Sequence, residues 1–164
     1  MITDIKKDDF GIEGRVYLDY FDADCNVVID IDANIEYAEK CVEMLDNLSE
    51  ETLEMIEKAL KIYCITKIRK HKSIREQVTF DVDNVKNMLD YIFPQTIYID
   101  SPEDDDEPDT GVRLECECDW EFGGMMEIII RQGEVLYVGK GGDLGVFDDF
   151  EYFNEDENNY INKI

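Results

Sequence analysis

The 164-residue chain is short of positive charge, histidine and proline. Lys and Arg number 16 against 41 Asp and Glu, which gives a formal net charge of −25 at pH 7. Neutralising phosphates takes clustered cations, so direct nucleic-acid binding is excluded as a function class. An anionic membrane surface is disfavoured for the same reason. The single histidine, His71, leaves zinc-hydrolase and His-dependent triad layouts without their parts. No apolar run approaches the ~18 residues of a membrane span. The stretch Met1 to Asp9 has no apolar core of a secretory signal, so a cytoplasmic location is expected. Five cysteines (Cys25, Cys41, Cys64, Cys116 and Cys118) are odd in number and fit no disulfide framework, which points to reduced thiols. Only one residue separates Cys116 from Cys118, and no second pair completes a zinc site. No metal and no cofactor is expected.

What is present is the material of a folded domain. Apolar residues make up 44%, and 8 Phe, 9 Tyr and 1 Trp exceed what acidic disordered tails carry. One domain spanning 1–164 is expected, with an acidic loop at 101–110 and a loosely docked tail at 146–164. Between Phe10 and Asp32 two alternating segments, around Val16-Leu18-Tyr20 and Val27-Ile29-Ile31, flank a turn-rich link and predict a hairpin. Tyr37, Cys41, Met44, Leu45 and Leu48 recur at helical steps. Ser49, Glu50 and Glu51 open a second helix, whose stripe is Leu53, Ile56, Leu60, Tyr63, Cys64 and Ile68 and whose end carries Lys67, Arg69, Lys70 and Lys72. A third, shorter helix is predicted over Val82, Val85, Leu89 and Ile92, stopped by Pro94.

The clearest pattern lies further on. Val112, Leu114, Cys116, Cys118 and Trp120 alternate with Arg113, Glu115, Glu117, Asp119 and Glu121. One face of such a strand packs on a core, and the other faces water, because four carboxylates cannot be buried unpaired. Strands at Met125 to Ile130 and Val135 to Val138 complete a meander. Strands, then helices, then strands indicate an α+β fold. The expected arrangement is two layers: an antiparallel sheet with about three helices on one face and the acidic face in solvent.

Catalytic motifs are weak. His71 between two lysines reads as a charged helix end. Paired carboxylates could serve as acid and base, but among 41 acids such pairs arise by chance. Acidic and apolar surroundings suppress thiol reactivity at Cys25 and Cys64. Gly139 to Gly145 lacks the order of a phosphate-binding loop. Asp22, Asp24 and Asn26 begin like an EF-hand loop, yet Val27 and Ala33 stand where Gly and Glu are required.

The remaining candidate is the acidic face: Glu115, Glu117, Asp119 and Glu121 on one strand, Glu127 on its neighbour, and Asp30 and Asp32 on an earlier strand. Same-face like charges repel, and such a surface steers cationic partners. A basic protein, for example a nuclease-like toxin, has the matching charge. Cys118-Asp119-Trp120-Glu121, followed by a Gly turn, an apolar strand and Val138-Gly139, resembles a family of small acidic bacterial domains of unknown function. Phe122-Gly123-Gly124 stands where that family has Glu-His-Gly. The resemblance implies an immunity-type role, neutralising a toxin by tight binding. The expected function is therefore non-enzymatic inhibition of a basic partner. The alternatives are an adaptor whose acidic surface only solvates it, and a carboxylate-based hydrolase.

Overall fold

The computed structural model describes residues 1–9, 11–102 and 109–164. Phe10 and most of the acidic stretch expected as a loop, residues 103–108, lie outside the described residues. Seven strands form one open sheet in sequence order: β1 (Thr3–Lys7), β2 (Ile12–Leu18), β3 (Ala23–Ile29), β4 (Ile92–Ile99), β5 (Gly111–Cys118), β6 (Met126–Arg131) and β7 (Glu134–Lys140). Among the described residues there are four α-helices: α1 (Ile35–Asp46), α2 (Glu50–Lys70), α3 (Lys72–Gln77) and α4 (Phe150–Glu155). The class is α+β. An all-antiparallel sheet was expected, and β3–β4 corrects this: the chain leaves β3, runs through three helices and returns parallel to it.

Local chemistry explains most boundaries. The Asn34 side chain accepts from the Tyr37 amide at 2.8 Å and opens α1, and Ser49 accepts from Thr52 at 3.1 Å and opens α2. Helix α2 carries Glu50 and Glu51 in its first turn and Lys67, Arg69 and Lys70 in its last, which matches the helix dipole. The predicted third helix does not form. Asp81 and Asn84 close a turn, and Asn87 caps a short 3-10 turn at Met88–Tyr91. Pro94 stops no helix; it lies inside β4, at a register break and before the parallel pairing with β3 begins at Thr96.

Alternation divides the sheet into two faces. Val16, Leu18, Val27, Ile29, Ile97, Leu114, Cys116, Ile128, Ile130 and Val138 point to one side and form a single core with Ala38, Cys41, Leu45, Ile56, Leu60 and Tyr63 of α1 and α2. The opposite face was expected to be bare and is not. Val146 and Phe153, from the C-terminal segment, pack there on Ile129 and Tyr137.

The tail is not loosely docked. After α4 it wraps the free edge of β7: the Asn159 amide donates to Leu136 O at 2.8 Å, Val138 N donates to Asn159 Oδ1 at 3.3 Å, and Tyr160 N donates to Val138 O at 2.8 Å. Asn159 is fully buried, and Tyr160 ends stacked on Tyr63 of α2 at 4.3 Å. At the other edge, β1 is interrupted by a register break between Thr3 and Lys6, with Asp4 at φ +52°. Breaks and lysines of this kind discourage pairing with another chain.

Candidate binding face

Among the described residues, the C-terminal segment covers the second face over its β6–β7 side and leaves β2 to β5 open. Strand register sets the order of side chains on this open half. One row runs Arg15, Asn26, Thr96, Glu115 and Glu127. The next runs Glu13, Val28, Tyr98, Arg113 and Ile129. Towards the end nearest the β2–β3 turn, Tyr17 faces Asp24 and Phe93 faces Glu117. Tyr17 and Phe93 are each about half exposed. Arg15 is clamped by Asp24, with Nη2 to Oδ2 at 2.6 Å, and donates to Asn26 Oδ1 at 3.0 Å.

The seven carboxylates expected on one face divide into five situations. Glu115 and Glu117 lie on the open half, Glu115 half-buried and Glu117 exposed. Glu127 shares that face but is covered: its side chain is 6% exposed, Gly142 N donates to Oε2 at 3.2 Å, and Arg113 Nη1 lies 3.5 Å from Oε1. Burial pushes the Glu127 carboxyl above the usual range, against the opposing pull of the Gly142 amide and Arg113. Asp119 falls in the turn beyond β5, half-buried. Glu121 is turned to the helix side: its side chain is 4% exposed, 2.6 Å from Lys67 Nζ, and accepts from the Tyr63 hydroxyl. Asp30 and Asp32 are exposed but lie past the end of β3. Across β4 that is about 20 Å from Glu117 at ~3.3 Å per residue. A single acidic strip is thus corrected to Glu115 and Glu117 with Asp24, interleaved with Arg15 and Arg113.

Glu121 turns inward because α2 supplies what a buried carboxylate needs, a cation and a hydroxyl. Tyr63, which holds that hydroxyl, meets Trp120 edge-on at 6.4 Å. Burial, and then Glu121, push the Tyr63 phenol upward. The same burial raises Cys25 to about 11 and Cys64 and Cys118 to about 12, so these thiols are poor nucleophiles at neutral pH. Among the described residues no group of three or more His, Cys, Asp or Glu is placed to hold a metal ion, and no helix is long and apolar enough to cross a membrane.

Sequence reasoning missed Asp24, Arg15, Tyr98 and Arg113 as members of the face. Arg113 stood in the polar half of the recognised alternation; the cross-strand partners that give it a setting are visible only in the register. A family model described as a domain of unknown function, DUF6985, matches residues 1–144, and the chain belongs to that family. No curated protein and no solved structure matches the chain.

Proposed function

We propose that this DUF6985 domain is a non-enzymatic binding protein, an immunity-type inhibitor that takes a basic protein partner, such as a toxin, on the open half of its sheet. The observation that carries the reading is the pairing of an excess of negative charge with an uncovered sheet half that presents Glu115, Glu117 and Asp24 beside the exposed rings of Tyr17 and Phe93. Carboxylates at the rim steer a cationic partner by long-range attraction, and half-exposed rings supply area that dewets on contact. Inhibition would be by occlusion, with acids pairing to Lys and Arg of the partner. Asp30 and Asp32 take part only if the partner spans the length of the sheet. Free, suppressed thiols suit a reducing cytoplasm.

A solvating role has one observation in its favour: Glu36, Glu39, Glu43, Glu50, Glu51 and Glu54 spread acid over the helices, on the opposite side. The two readings part on one experiment. The chain is used to capture partners from its native strain at low and at high salt, beside the double variant Asp24→Lys, Glu117→Lys. The inhibitor reading expects a basic protein whose association rate falls about tenfold with the reversal or with salt, and whose toxicity the wild-type chain suppresses. Association indifferent to the reversal would overturn the face. A captured protein whose activity is unaffected would overturn the inhibition.

A further inference from the structure

The two arginines of the open half are unequally satisfied. Arg15, with a side chain 42% exposed, bonds both Asp24 oxygens and Asn26. Arg113, only 24% exposed, makes no hydrogen bond among the described residues. Its Nε is enclosed without a partner, its nearest carboxylate oxygen is 3.5 Å from Nη1, and its guanidinium lies over the Tyr98 ring at 4.6 Å. The more deeply placed cation is thus the one with unused donors. Nε is sealed from the outside, so the donors that an incoming acceptor can reach are those on the Nη nitrogens, which make no hydrogen bond among the described residues.

We propose that Arg113, held against Tyr98, anchors this face by donating to main-chain carbonyl oxygens of the cationic partner; this rests on the binding reading above. Charge selects the acceptor. A carboxylate or phosphate would enter beside Glu115 and Glu127 on a strongly negative chain, and like charges would oppose it. A carbonyl oxygen accepts without adding charge. A cationic protein supplies both parts at once, Lys or Arg for Glu117 and Asp24 and peptide carbonyls for Arg113. The stacked guanidinium is already oriented, so little side-chain freedom is lost on binding. Arg and Tyr are also the residue types that dominate binding energy at the centres of interfaces.

The test uses the full chain, isotope-labelled, and two probes of matched charge: a short lysine–glycine peptide, which has carbonyls, and spermine, which has none. Both are expected to shift the amides of Asn26, Thr96 and Glu117. Only the peptide is expected to move the Arg113 guanidinium Nη–H resonances. Arg113→Lys keeps the charge and loses the planar fork, so it should weaken peptide binding about tenfold and leave spermine unchanged. If peptide and spermine bind alike with the Arg113 signal still, the anchor is wrong while the binding face stands. If neither probe perturbs the open half, the binding face itself fails. The wild-type Nη–H signals decide the matter even if the lysine variant does not fold.

Discussion

The Lys67 ammonium lies 2.6 Å from the Glu121 carboxylate, and their side chains are only 19% and 4% exposed. The Tyr63 hydroxyl donates to the same oxygen, so helix α2 and the turn after β5 are joined through one buried carboxylate. Removing the cation strands the anion. Lys67→Met is expected to cost about 3 kcal/mol. The double variant Lys67→Met, Glu121→Leu should recover most of that loss. Urea unfolding of the four proteins of the cycle checks it, and equal losses in the single and double variants would refute the coupling.

Asn159 substitutes for an eighth strand. Its amide meets both a carbonyl and an N–H of β7 and also accepts from the Ile161 N–H, so Asn159→Leu takes the partner from three backbone groups. A loss of about 2 kcal/mol or more is expected. Amide exchange at Val138 should accelerate more than exchange at Leu114 in the sheet centre. Uniform acceleration would mean that the tail does not guard the edge.

Stability should fall as pH rises through the titration of Glu127. Its carboxyl is held above the ordinary glutamate value of 4.5, so the folded protein keeps a proton that the unfolded chain releases. The folded state therefore loses stability between 4.5 and the higher folded value, and above that value the loss is complete. Glu127→Gln does not titrate and lacks this decline. Its stability relative to wild type should be greater at about pH 7 than at about pH 4. Asp46 and Glu57, which are also raised, contribute equally to both proteins. A pH-independent difference would show that Glu127 titrates normally.

Thiol labelling should be slow in the native protein. With Cys25 near 11 and Cys64 and Cys118 near 12, thiolate is scarce at pH 8, and burial adds a barrier to access. Rapid modification of all five cysteines in denaturant and of almost none without it is the expected result. Fast native labelling of any one would indicate local opening of the strand or helix that carries it.

Helices α1 and α2 were legible in the sequence because caps, stripes and end charges agreed: Ser49 opened α2 as expected and Lys70 closed it. The hairpin and the meander were legible by alternation. Where propensity and pattern disagreed, sequence reasoning failed. Val82, Val85, Leu89 and Ile92 have helical spacing, but Asp81, Asn84 and Asn87 bond their own backbone or one another and prevent the helix. Strand β1 escaped notice because it is almost wholly polar. The acidic face was half legible. Alternation places Glu115 and Glu117 correctly, but period 2 lapses at Cys118, where β5 ends, and it carries no information about a lysine supplied by a distant helix. Asn159, a polar residue in an acidic tail, gave no sign that it would be fully buried.

The parallel contact of β3 with β4 spans only Asn26 to Ile29 against Thr96 to Ile99, and it is where two sequence-local ribbons, β1–β3 and β4–β7, are stitched. Each ribbon can zip from its own turns. The stitch must wait for residues 30–91 to coil and dock, a closure whose entropy is lost before any seam bond forms. Refolding should accordingly be governed by the meeting of the two ribbons, and a circular permutant opened within the helical connection would alter the rate of that meeting while leaving both ribbons intact.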